Sequence, residues 1–406
     1  MDSTTIPFTF QLPEDLPFAF SLQSLMERLQ TLSDKRKARG VRYPLAMVLV
    51  LAILAKLSGH SRLEQMASWA HLRAAELAPL LGLKRLKMPH QSTWSRILGH
   101  AVDVDELEQV LGQFFAEQQQ CPEVPARGTI VVAVDGKTLR GTIAAGKTRG
   151  VHLVAAYLPR EGVVLAQVAV DCKENEIVAV PKLLRQLDLT GVVVVGDAMQ
   201  AQRALSVQVV ETNGDYLWFV KNNQPSLLAD LELLFTRAEV AAPGWSEPAT
   251  DCITARQIEK GHGRLEERTI TVSRRLHEYA NWPYLDQVFR LERSFTEAGK
   301  HTVEVRYGIT SLPPTAATAA RLMEIARLEW GIENGLHYRR DVTLQEDACQ
   351  LRRGHGPQVL AALNNAVIGI VAQTGTRNLA ATQRAFDYAF DRMLAQQHSH
   401  SNTPVK

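Results

Sequence analysis

Cysteine is scarce in this 406-residue chain: Cys121, Cys172, Cys252 and Cys349 are widely scattered, with no C-x-x-C pair. That scarcity argues against a zinc site and a disulfide framework, and for a reducing cytoplasm. Long apolar runs are lacking too. The longest, from Pro44 to Ala55, is closed by Lys56. It is too short to span a bilayer and suits a buried helix, so no membrane partner is expected. The N-terminus, Met1-Asp-Ser-Thr-Thr-Ile-Pro, has no basic start before an apolar core, and no signal peptide is expected. Internal repeats are missing. An excess of one charge is missing as well: the net charge is only +2, so any nucleic-acid binding must come from local patches. What is present, 46% apolar and 22% charged residues, is the make-up of an ordinary soluble protein with room for two or three domains.

Residues 1–125 read as helical. Apolar residues recur at helical spacing through Leu22, Leu25, Met26 and Leu29, then through the run from Pro44, then through Leu63, Met66, Trp69 and Ala70. Two basic clusters interrupt them. Lys35, Arg36 and Lys37, with Arg39 and Arg42, surround a break at Gly40. Lys84-Arg85-Leu86-Lys87 precedes a segment in which Ser92 or Thr93 is a candidate cap for a helix carrying Trp94 and Arg96. Such runs are either the solvated face of a bundle or, with Lys35, Arg36, Lys37 and Arg96 on phosphates, a DNA-contacting module.

After a polar linker the pattern changes. Buried strands are expected at Thr129–Val134, Val151–Tyr157, Gly162–Val170, Gly191–Val195 and Asp215–Val220, with helices over about 174–187 and 200–212. Three strands, helix, strand, helix, strand implies a mixed α/β sheet with flanking helices, begun in residues 126–222. Residues 223–315 are more polar and read as a β-rich insertion. Helical spacing returns over 316–375 and includes a helix from Pro357 to about Thr374; residues 376–406 form a C-terminal helix and tail.

Asp135 and Asp197 each close a buried apolar strand, where a charge is costly unless paired or bound to metal. A third carboxylate from a helix would complete a site for two divalent ions and in-line phosphoryl displacement. Glu333 is the candidate. Glu333, His337 and Arg340 stand at i, i+4 and i+7 and share one face of an α-helix, as an exposed ion ladder also would. Gly141-Thr-Ile-Ala-Ala-Gly-Lys147-Thr148 matches the phosphate-loop string, but a strand rather than a helix follows, so an NTPase is disfavoured.

The segments VVAVDGKTLRG, KENEI, VVGDAMQAQ, GDYLWFVKNNQP, EKGHGRLEERT, WGIENGLHY and DVTLQEDACQLR resemble the DDE transposases of bacterial insertion sequences. Within these they resemble the H-repeat-associated proteins, whose N-terminal transposase-associated helical domain is similar to RGVRYPLAMVLVLAILAKLSGHSRLEQMASWA and PHQSTWSRIL here. The resemblance covers about residues 20–375. It implies a ribonuclease H-like mixed sheet with a β-rich insertion before the last catalytic helix, and Asp135, Asp197 and Glu333 as catalytic ligands of two Mg²⁺ ions, with Mn²⁺ as the alternative. It also implies DNA partners, namely transposon terminal inverted repeats and target DNA, and a homodimer on DNA. Arg340, seven residues after the glutamate, would contact phosphate. The tyrosine and arginine of the wider pattern fall on Ala326 and Glu329. Further candidate DNA contacts, each with a plain surface role as the alternative, are Lys137, Arg140, Lys221, Asn222, Gln224, Lys260, His262, Arg264 and His337. A DNA-binding protein without catalysis is the competing function; the complete triad argues against it.

Overall fold

The computed structural model describes residues 22–81, 83, 86–118, 126–171, 174–239, 252–261, 264–297, 300–376 and 378–400. The first stretch forms α1 (Leu22–Leu29), α2 (Leu45–Leu57), α3 (Leu63–Leu72), α4 (Ala74–Leu80), α5 (Gln91–His100) and α6 (Val104–Gln118). Every residue of α2 is buried. A helix apolar on all sides must lie inside the core, and its one cation, Lys56, donates to Asn364 Oδ1 at 2.7 Å. The cap of α5 is His90 rather than Ser92 or Thr93: its Nδ1 accepts the Ser92 N–H at 3.3 Å.

Nine strands then form one sheet: β1 (Ile130–Leu139), β2 (Val151–Leu158), β3 (Val163–Val170), β4 (Val192–Gly196), β5 (Asp215–Val220), β6 (Ile253–Gly261), β7 (Arg264–Ser273), β8 (Gln287–Glu297) and β9 (Lys300–Thr310). Their order is β3-β2-β1-β4-β5-β9-β8-β7-β6. Strands β1, β4 and β5 run parallel to one another, and all other pairs are antiparallel. Helices α7 (Glu176–Leu184) and α8 (Arg203–Glu211) fall between strands as the pattern required. Valines alternate across the sheet. Val131, Val193 and Val195 face one core, which also holds α2, α6 and α12 (Gly356–Gln373). Val132, Val192 and Val194 face the other, with α7, α8 and α9 (Pro225–Glu239). Both faces are covered, which explains the unbroken apolar runs. Among the described residues no helix is long and apolar enough to cross a membrane.

Two expectations change. Residues 223–315 open with α9, whose Leu227, Leu231 and Phe235 are buried at helical spacing, and their strands extend the main sheet because β9 pairs with β5. Strand β1 does not stop at Asp135. It continues to Leu139 because its antiparallel partner β2 is longer than its parallel partner β4.

Candidate active site

The last β1–β4 pair is Val134 with Gly196. The next residues, Asp135 within β1 and Asp197 just past the end of β4, therefore stand side by side on adjoining parallel strands. Asp197 caps a 3₁₀ turn, Ala198–Gln200, its Oδ1 accepting the Met199 N–H at 2.8 Å. Glu333 arrives from α10 (Ala319–Leu328) through α11 (Trp330–Ile332) into a π-helical turn, Glu333–His337. There Glu333 Oε2 lies 3.2 Å from His337 Nδ1, which is 3.5 Å from Asp135 Oδ2. One ligand atom from each of Asp135, Glu333 and His337 falls within 4.8 Å of the others, a grouping able to hold a metal ion.

Burial pushes the Asp135 carboxyl up to about 7, and the neighbouring Glu176, Asp197 and Glu333 push the same way. The hydrogen bond from His337 holds Glu333 below its ordinary range. Burial lowers His337, leaving it neutral at pH 7. A hard cation suits this set, because carboxylate oxygens converge and Asp135 reports repulsion that a positive charge would relieve.

Glu176 escaped the sequence reading. It opens α7, and its Oε1 meets His152 Nε2 at 2.9 Å while Oε2 accepts from Gln200 Nε2 at 3.3 Å. His152 Nδ1 in turn meets Thr138 Oγ1 at 2.8 Å. Gly136 makes room for this cradle: a Cβ there would lie 2.2 Å from Glu176 and 2.6 Å from His152. The signal was a glycine directly after Asp135 together with an acid in a helix's first turn.

Arg340 is not on the face of Glu333. It is fully buried, with Nε bonded to Glu346 at 2.8 Å and Nη1 to Gln167 at 2.9 Å. The cause is winding. Residues Glu333–His337 and Arg339–Thr343 are π-helical. With i→i+5 bonding the turn is wider, so His337 stays beside Glu333 but the seventh residue no longer returns to that face. Lys137 is also spent internally, its Nζ 2.6 Å from Asp341 Oδ2. Arg140 is exposed near Asp347. Lys221 and Asn222 are exposed just past β5. Gln224 donates to the Ala201 carbonyl at 2.9 Å. Lys260 is exposed near the end of β6, the backbone of Arg264 opens β7, and His262 lies outside the described residues. Lys35, Arg36, Lys37 and Arg96 sit far along the chain, among the N-terminal helices. Lys35 pairs with Asp103 at 2.7 Å and Arg36 with Asp34 at 2.6 Å. Ala326 is buried, and Glu329 pairs with Arg306 at 3.2 Å.

The transposase DDE domain model matches residues 126–368, and the model of the segment associated with that domain matches residues 26–115. YncI, a transposase-family protein of Escherichia coli O157:H7, is 30% identical over 86% of this chain and 88% of its own. The H repeat-associated protein YhhI of Escherichia coli K12 is 28% identical over 91% of this chain and 96% of its own. YbfL of the same strain is 29% identical over the same shares, 91% and 96%.

Proposed function

This chain belongs to the transposase DDE domain family, and on that premise we propose that it cuts DNA at transposon ends and joins the freed ends to target DNA. The observation that carries the proposal is the gathering of Asp135, Glu333 and His337 within 4.8 Å, with Asp197 on the adjoining strand end. The order β3-β2-β1-β4-β5 with a parallel centre supports a ribonuclease H-like catalytic part. In this reading residues 126–222 and 316–375 are its two halves, 223–315 its insertion, 1–125 the associated helical module and 376–406 the tail.

Asp135, Asp197 and Glu333 would hold two Mg²⁺ or Mn²⁺ ions, with the neutral His337 imidazole beside them. When bound, such ions activate the attacking oxygen and stabilise the leaving oxygen of an in-line displacement. Glu176, held by His152 and Gln200, adds a further negative charge beside Asp135, which favours cations at this site. Water attacks the phosphodiester at the transposon end and releases a 3′-hydroxyl; that hydroxyl then attacks a target phosphodiester and displaces its 3′-oxygen. Arg140, Lys221, Asn222 and Lys260 are the exposed groups near the sheet edge and insertion that would hold DNA. Lys137, Gln224 and Arg340 act through neighbouring residues. A second copy would hold the other end, in the cytoplasm.

Asp135→Ala, Asp197→Ala and Glu333→Ala are each expected to bind duplex DNA normally and to lose Mg²⁺-dependent strand cleavage by at least about 10²–10³-fold, the scale on which a charge-stabilising group acts. Cleavage by Asp135→Ala at the wild-type rate would refute the assignment.

A further inference from the structure

We propose that the N-terminal helices carry a site for the phosphodiester backbone of duplex DNA: the groove of about 560 Å³ lined by Arg36, Arg42, His71, Lys87, His90 and Arg96. DNA as the occupant rests on the transposase reading; the groove as a polyanion site rests on its own chemistry. None of its lining residues is acidic. Arg36 is held by Asp34, but among the described residues Arg42, Lys87 and Arg96 have no carboxylate partner. Among the described residues Arg96 reaches the Ser92 carbonyl at 3.3 Å and the Thr93 hydroxyl at 3.5 Å. Three exposed cations without anions, on two separate segments, suit several phosphates along a backbone better than one isolated anion.

The wall is built before a ligand arrives. Tyr43 Oη donates to the Met88 carbonyl at 3.3 Å, and the fully buried Trp94 donates its indole N–H to the Pro89 carbonyl at 2.9 Å. These bonds pin the segment that carries Lys87 and His90, so little ordering is left to be done on binding. Guanidinium groups take phosphate oxygens in bidentate fashion. Besides its cations the lining carries the Thr93 and Tyr43 hydroxyls and the His71 and His90 rings, and contacts from such groups to phosphate fix a duplex in position without reading its sequence.

The test uses the full chain and a labelled random-sequence duplex, with affinity measured by fluorescence anisotropy over a salt series. Arg42, Lys87 and Arg96 are exposed, so their removal costs little stability. The Arg42→Ala, Lys87→Ala, Arg96→Ala triple variant is expected to show a log K against log salt slope shallower by about 2.7, or about 0.9 for each phosphate no longer neutralised. Thermal melting of the same variant checks its fold. An unchanged slope in a folded variant would overturn the proposal, as would inorganic phosphate competing at matched ionic strength or a polyglutamate peptide binding as tightly as the duplex. Asp135→Ala keeps the wild-type slope. If Asp135→Ala also cleaves normally, the transposase reading fails while the groove stands.

Discussion

The groove among the N-terminal helices and the cleft between the strand meander and α10 are both rich in arginine, yet they treat charge in opposite ways. The cleft is the larger, about 1190 Å³. In it Arg160 pairs with Glu324, Arg268 with Glu259 and Glu266, Arg293 with Glu266 and Glu304, Arg306 with Glu329, and Arg327 with Glu259. Arg306 also lies 3.3 Å over the Phe219 ring and 5.7 Å from Trp330. The groove is about half that size, and among the described residues its outer cations Arg42, Lys87 and Arg96 have no carboxylate partner. An arginine already holding a carboxylate has to give it up before it can release counterions on a phosphate, so the number of cations in a hollow is a poor guide to its DNA affinity. The acidic cluster shows the same contrast with its sign reversed. Asp135 lies among carboxylates and is pushed up to about 7, whereas Asp341 nearby is matched by Lys137.

The sharpest way to break this contrast is at its most closed pair. Arg340 and Glu346 are almost wholly shielded from water, with side-chain exposures of 1% and 5%. Arg340→Ala leaves Glu346 buried without its partner and is expected to lower stability by about 3–5 kcal/mol in chemical denaturation. Replacing both, with Arg340→Met and Glu346→Leu, is expected to recover most of that. A single variant as stable as wild type would show that Arg340 is available for other work.

The unmatched side is probed by Asp135→Asn. Folded Asp135 keeps its proton up to about pH 7, while the unfolded chain releases it near about 3.9. The folded state therefore binds more protons between those values, and this carboxyl makes the metal-free protein less stable as pH rises through that window. Asp135→Asn cannot ionise. It is expected to melt a few degrees higher than wild type at pH 7.5 without divalent ions, with no difference at pH 4; the carboxyl is 34% exposed, so solvent screening tempers the effect. Adding Mg²⁺ should stabilise wild type more than the variant. A melting difference that does not vary with pH would mean that repulsion at Asp135 is not its source.

The smallest effect is expected in the cleft. Glu266 accepts from both Arg268 and Arg293. Glu266→Gln weakens both pairs and should raise duplex affinity several-fold at low salt, with a steeper salt slope. Unchanged binding would show that the cleft arginines do not meet DNA even when freed.

Legibility followed burial and locality. The valines of β1 and β4 and the helical stripe of α12 stood out because each element carries its pattern within itself. Helix α9 was hidden by the polar character of its region, although Leu227, Leu231 and Phe235 keep its spacing. Glu176 could not be tied to Asp135 from pattern, since only the fold brings the start of α7 to Gly136. Arg340 failed for another reason: an α-helical period was applied to a segment that winds as a π-helix.

The order of residues alone shows that Asp135 and Asp197 each follow a run of β-branched residues, because such a run is the mark of a central strand buried on both faces, and a charge directly after it has to serve some purpose. Which charges are left to act is settled by folding in three dimensions. Lys137 meets Asp341, Arg340 meets Glu346 and Gln167, and Lys56 meets Asn364 across gaps from a few to hundreds of residues. Ion pairing depends on distance in space and on exclusion of water, and neither is written in the local order of the chain.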